Sequence, residues 1–181
     1  MRKNHTYLTF PIKILALIWL SFIADIFLVN ISFTHYGLLP RTIQGLFGIV
    51  SCPLIHASLF HIISNSVPLL VLLTITAVFF KEDSYYVVFF IVIIGGALVW
   101  AFGRASYHVG ASGLVYGLAA FLIAFGIYKK KAIPILVSIF VGITYGTSML
   151  IGFLPIFPGV SWEGHLFGAI AGVITARMAS K

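Results

Sequence analysis

Long apolar runs decide what this chain can fold into. Six of them approach the length that a helix needs to cross a bilayer core, about 20 residues. Of the 181 residues 61% are hydrophobic and 8% are charged, whereas a soluble domain has about 25% charged residues. The sequence therefore predicts an all-α integral membrane protein, a six-span bundle in a single domain over residues 1–181. The predicted spans are residues 11–29, 61–80, 85–102, 112–128, 133–152 and 162–178.

The first apolar run and the segment after it need separate interpretations. The run at 11–29 could be taken for a signal peptide, but its length is nearer a full span and no small-residue cleavage site follows it. Residues 30–60 are apolar but interrupted by glycine, proline and histidine, so they are too irregular to span. We expect an interfacial first loop that contains short amphipathic helices.

The basic residues are distributed unevenly between the two sides of the predicted bundle. Six spans place both termini on one side, and nine of the eleven Lys and Arg residues fall there, leaving Arg41 and Arg104 on the other. The positive-inside rule then predicts cytoplasmic termini. The net charge of +7 is explained by these loops, and no nucleic-acid partner is expected because no basic patch is interleaved with aromatic residues.

The tetrapeptide Gly110-Ala111-Ser112-Gly113 opens the fourth predicted span. A serine between glycines at a helix N-terminus can be exposed, with backbone N–H groups beside it. Glycine and serine also mark ordinary turns, so this motif points to a nucleophile only if a base lies at the same depth.

Polar residues occur at the same end of spans two and six. His61 and Asn65 are four residues apart and therefore share one helix face. His165 lies a few residues into span six. Polar groups inside a membrane are costly and usually point into the bundle, where they are candidates for function. Each taken alone could instead be a residue that joins helices by hydrogen bonds.

Small residues predict how spans four and six pack. Glycines at four-residue spacing let two helix backbones approach closely. Such contact would bring Ser112 and His165 to similar depth, where a hydroxyl and an imidazole make a nucleophile and its base. The glycines concerned are Gly113 and Gly117 in span four, and Gly168 and Gly172 in span six.

The surroundings of the predicted base contain no obvious third catalytic member. Tyr116, one turn below the serine, could stack on His165 or be an ordinary core residue. Glu163, two residues before His165, should point to a different face, and Asp25 could pair with Arg41 or bond a loop. We therefore predict a Ser/His dyad without the carboxylate of the triad. No cofactor is expected, and the absence of an HExxH motif disfavours a metal.

These motifs, in this order on these spans, resemble the rhomboid intramembrane serine proteases. The resemblance covers about residues 40–172 and fits the minimal six-span bacterial type, similar to the rhomboid of the bacterial glycerol operon. It implies that Ser112 is the nucleophile and His165 the general base. It also implies an oxyanion hole formed by His61, Asn65 and the Ser112 backbone N–H.

The resemblance carries further expectations. The loop at 153–161 would cap a water-filled site, and span five would be a lateral gate. Many family members carry a Trp-Arg pair in the first loop, where this chain has Pro40 and Arg41. The supporting site residues would be Gly110, Gly113, Tyr116, Gly168, Gly172 and His56.

The predicted function is an intramembrane serine endopeptidase in the cytoplasmic membrane of a bacterium, with its site open to the extracytoplasmic side. Its partners would be transmembrane protein substrates and the lipid bilayer. One alternative is an inactive rhomboid-like protein that binds membrane clients. A small transporter is a weaker alternative, because it should show broken helices or a repeat.

Overall fold

The computed structural model describes residues 6–28 and 32–181. Within these residues there is no β-strand, only an isolated bridge between Leu38 and His108. Three short 3-10 helices cover Phe33–Tyr36, Cys52–Leu54 and Lys81–Asp83. The α-helices are α1 (Thr6–Phe27), α2 (Ile43–Ser51), α3 (Leu59–Phe80), α4 (Ser84–Phe102), α5 (Ser112–Lys129), α6 (Ala132–Gly152) and α7 (Trp162–Ala179).

Most of the long helices are apolar enough to cross a membrane. Four described stretches qualify by length and hydropathy, and the longest, Leu59–Phe102, contains both α3 and α4. The other three are α1, α5 and α6. α7 carries Glu163, His165 and Arg177 and is more polar, but it packs against α4 and α5 inside the bundle. The prediction of an all-α membrane bundle with six long helices is confirmed.

Two helices begin earlier than the apolar runs indicate. α1 begins at Thr6, so residues 6–10 of the basic head are helical, and Pro11 lies inside the helix. Residues 1–5 and 29–31 lie outside the described residues. α3 begins at Leu59 because the Ser58 hydroxyl caps it, accepting the His61 N–H at 3.2 Å. The other four helices differ from the predicted spans by at most one residue at either end.

The first loop is fastened to the C-terminal end of α4. The Arg41 guanidinium donates to the carbonyl oxygens of Ala101 and Gly103, at 3.3 and 2.8 Å. The Trp100 indole on α4 donates to the Thr42 carbonyl at 2.8 Å. A tryptophan and an arginine therefore anchor this loop, although they are not adjacent in the sequence.

Asp25 bonds a loop instead of the arginine. Its carboxylate accepts the Phe33 backbone N–H at 2.8 Å, which ties the end of α1 to the first 3-10 helix. Of the two possibilities for Asp25, the structure therefore shows the loop contact.

α5 lies at the centre of the bundle. Ten of its residues are buried, and it contacts α3, α4, α6 and α7, the last most extensively. α6 packs along α5 but touches α7 little, so its outer side is exposed. This arrangement puts the N-termini of α5 and α7 side by side.

Candidate active site

Ser112 is the first residue of α5 and follows the loop 103–111. Gly110 has φ +114°, a conformation that favours glycine, and a Cβ there would lie 2.6 Å from the His61 ring. The next N–H, of Ala111, donates to His56 Nε2 at 3.2 Å. The loop that carries the serine is therefore held from two sides by histidines of the first loop and α3.

His165 reaches Ser112 because α5 and α7 touch backbone to backbone. A methyl group at Gly168 would overlap the carbonyl of Gly113, and one at Gly172 would overlap the carbonyl of Gly117. With the helices this close, His165 Nε2 lies 2.9 Å from Ser112 Oγ.

The second ring nitrogen of His165 fixes the tautomer. His165 Nδ1 lies 2.9 Å from the backbone carbonyl of Gly152, at the end of α6. A carbonyl only accepts hydrogen bonds, so Nδ1 must carry the proton and Nε2 accepts the Ser112 hydroxyl. A general base needs this tautomer. The Gly152 carbonyl thus occupies the place that a carboxylate holds in the Ser-His-Asp triad.

Tyr116 forms a platform for the His165 ring. The two rings are stacked, with centroids 4.1 Å apart and planes 4° apart. The Tyr116 hydroxyl donates to the Ser148 carbonyl on α6 at 2.9 Å. The structure therefore shows the stacking arrangement, and it ties the histidine platform to α6.

His61 and Asn65 face Ser112 from α3. Asn65 is 7% exposed, and one of its amide hydrogens is donated to the His61 carbonyl, with an N···O distance of 3.1 Å. The amide has a second N–H to offer. His61 packs against Gly110 and meets the His56 ring edge-on, with centroids 4.9 Å apart.

A cavity of about 840 Å³ joins these groups. Ser112, His165, His61 and Asn65 all line it, and so do residues 158–161 at the end of the loop that follows α6. Irregular backbone at membrane depth is tolerated where it lines a water-filled cavity. Polar side chains from α3, α5 and α7 therefore meet in one cavity.

His56 is a buried neutral histidine outside the spans. It is 2% exposed, and burial, together with the charge that His61 can carry nearby, lowers the pKa of His56 to about 4. An unprotonated Nε2 can accept the Ala111 N–H, so His56 holds the backbone just before the serine.

Several contributing residues were not found from the sequence. His108 is 2% exposed, and its Nε2 donates to the Arg104 carbonyl at 3.1 Å, which leaves Nδ1 to accept the Ser161 hydroxyl at 2.6 Å. Burial lowers the pKa of His108, which favours this neutral form. Its only sequence signal is its place four residues before Ser112. Gly152 and Ser148 act through backbone carbonyls, which leave no side-chain signal.

A family model described as "Rhomboid domain" matches residues 44–181, more than half of the chain. The chain belongs to the rhomboid family. Uncharacterized proteins of Mycobacterium tuberculosis and Mycobacterium bovis are 34% identical to it over 177 residues, covering 89% of this chain and 73% of theirs. An uncharacterized protein of Mycobacterium leprae is 35% identical, covering 89% of this chain and 70% of its own. The predicted family is confirmed, while the likeness to the glycerol-operon rhomboid stays a prediction.

Proposed function

We propose that this rhomboid is an intramembrane serine endopeptidase that cleaves transmembrane segments of other membrane proteins. The observation that carries the proposal is the 2.9 Å contact between Ser112 Oγ and His165 Nε2. The Gly152 carbonyl strengthens it, because its bond to Nδ1 selects the tautomer that can take the serine proton.

The first chemical step is attack by Ser112 on the scissile carbonyl while His165 takes the hydroxyl proton. The carbonyl oxygen becomes an oxyanion. Donors available on the cavity side of the serine are its own backbone N–H and the side chains of His61 and Asn65, which line the same cavity. By analogy with other oxyanion holes, each donor would be worth about 3–4 kcal/mol.

The second step returns the proton. His165, now an imidazolium, protonates the leaving amine, which releases one product and leaves an acyl ester on Ser112. A water molecule then attacks the ester while His165 takes its proton. His165 returns that proton to Ser112 Oγ as the acyl–oxygen bond breaks, which releases the second product as an acid and restores the free hydroxyl. Stacking on Tyr116 keeps the imidazole ring in one plane through both transfers.

The orientation and the substrates belong to the same proposal. The excess of basic residues at the ends of α3, α5 and α7 supports cytoplasmic termini and a site that opens to the extracytoplasmic side of a bacterial membrane. The peptide must be extended to reach Ser112. Substrate segments that contain glycine or alanine and unwind easily should therefore be preferred.

A client-binding rhomboid without activity is the rival proposal. Such a protein would need the cavity but would have no use for a serine, a base and a carbonyl that fixes the tautomer of the base. The geometry of the dyad therefore favours catalysis.

The experiment that separates the two is cleavage of a model transmembrane substrate in proteoliposomes. We expect fragments with wild type and none with Ser112→Ala, while both bind the substrate. Substrate that binds to wild type without being cut would contradict the protease and support the client-binding protein.

A further inference from the structure

Glu163 is a buried carboxylate with no part in the proposed chemistry. It lies in the first turn of α7 and is 3% exposed. Its Oε1 accepts the Arg104 backbone N–H at 3.3 Å and lies 3.5 Å from Arg104 Nε. Its Oε2 is buried with no partner among the described residues. Burying a carboxylate costs free energy, which the contact with Arg104 must offset.

Arg104 connects the loop that precedes Ser112 to the start of α7, the helix that carries His165. Its backbone N–H and Nε face Glu163, its carbonyl accepts from His108, and its Nη2 donates to the Val160 carbonyl at 2.5 Å. All of these bonds lie at the N-terminal ends of α5 and α7.

The glycine contacts hold the backbones of α5 and α7 together at Gly168 and Gly172, and a Cβ at Gly113 would lie 3.1 Å from the Gly164 carbonyl. They do not involve the loop that precedes Ser112. That loop meets the start of α7 through polar bonds, those of Arg104 with Glu163 and of His108 with Ser161. These bonds therefore set where the loop lies against the first turn of α7.

We propose that Glu163 and Arg104 are positioning residues. They hold the first turn of α7, and with it His165, in a fixed position relative to the loop that precedes Ser112. This inference rests on the proposed protease function. Glu163 does not line the cavity, so its substitution should affect the chemical step and not substrate binding. Arg104 does line the cavity, so its variants are compared by kcat alone.

The test measures kcat and KM separately on a model transmembrane substrate, for wild type and for Glu163→Ala, Glu163→Gln, Arg104→Ala and Arg104→Lys. Glu82→Gln is the matched control, because this exposed carboxylate lies at the opposite end of the bundle. We expect kcat to fall about tenfold to a hundredfold in Glu163→Ala, because small misplacements of reacting groups are that costly. KM should stay within about twofold, since ground-state binding is retained.

The conservative variants sharpen the test. Glu163→Gln keeps an oxygen that can accept the Arg104 N–H, and Arg104→Lys keeps the charge, so both should retain more kcat than the alanine variants. The double variant Arg104→Ala/Glu163→Ala should be no slower than the slower single variant, because the two residues act through one contact.

Wild-type kcat in folded Glu163→Ala would overturn the inference, as would a change in KM alone. Should Glu163→Ala fail to fold, wild-type kcat in folded Arg104→Ala would overturn it equally, because this variant removes the guanidinium that faces Glu163. A wild-type protein that does not cleave at all refutes the protease function and this inference with it. Cleavage by wild type together with a fully active Glu163→Ala refutes the inference alone.

Discussion

Two of the neighbours of α5, the helices α6 and α7, use the same glycine spacing in opposite ways. Toward α7, Gly168 and Gly172 leave no room for a methyl group against the backbone of α5. On α6, Gly142 and Gly146 have the same spacing, yet a Cβ at either would meet no atom within 4 Å. Glycines four residues apart therefore indicate a possible helix contact, and only the packing shows which pair is used.

This difference divides the site into two sides. The side formed by α5 and α7, whose backbones are in contact, is called the fixed side, and the side formed by α6 is packed more loosely. Both members of the dyad lie on the fixed side, on helices in backbone contact. α6 bonds to the site through its last two turns, where the carbonyls of Ser148 and Gly152 accept from Tyr116 and His165. The role of this helix as a lateral gate stays a prediction.

The largest expected effect comes from adding a methyl group on the fixed side. Gly168→Ala should lower the free energy of unfolding by about 3 kcal/mol or more, because the methyl group meets backbone that cannot rotate away. Separation of the helices should also lengthen the Ser112–His165 contact and slow reaction with a serine-directed probe. Thermal unfolding in detergent and the rate of labelling measure the two effects. Wild-type stability and labelling in this variant would show that the helices are not in the described contact.

We expect the stability of the folded chain at low pH to depend on His56, which bonds the backbone just before Ser112. Its pKa is about 4 in the folded chain, against about 6.5 when unfolded. Above about pH 6.5 neither state binds the proton. Between about pH 6.5 and about pH 4 only the unfolded chain binds the proton. The free energy of unfolding therefore falls by up to about 3 kcal/mol as the pH is lowered through this range.

The variant His56→Gln isolates this contribution, because an amide oxygen can still accept the Ala111 N–H but does not titrate. Thermal midpoints at about pH 7 and about pH 4.5 should differ less for His56→Gln than for wild type. An equal acid shift in the two proteins would refute the assignment of a buried neutral His56.

The smallest effect is expected at the two glycines of α6 that make no close contact. Gly142→Ala and Gly146→Ala add a methyl group where nothing lies within 4 Å. Stability should be unchanged or rise by at most about 1 kcal/mol, the helix preference of alanine over glycine. The same thermal and labelling measurements apply. Losses like those of Gly168→Ala would mean that this face is packed in the functional protein.

The sequence was informative wherever side chains repeat with the helix period. Apolar length predicted the bundle, and the spacing of Gly113, Gly168 and His165 predicted the arrangement that the structure shows around Ser112. Helix starts were less predictable, because the Ser58 cap and the helical residues before Pro11 carry no long apolar signal.

The groups that complete the site could not be predicted in the same way. The orienting acceptor of His165 is a backbone carbonyl, and any residue at position 152 carries one. Glu163 bonds Arg104, which is 59 residues away in the sequence. Only the fold brings them together.

We propose that His165 activates Ser112 as a nucleophile. Labelling of the purified protein with a fluorophosphonate probe in detergent tests it most directly. Wild type should form a covalent adduct on Ser112, Ser112→Ala should form none, and His165→Ala should label weakly or not at all. An unlabelled wild type, under conditions where a control serine protease reacts, would contradict the account, as would undiminished labelling of Ser112→Ala.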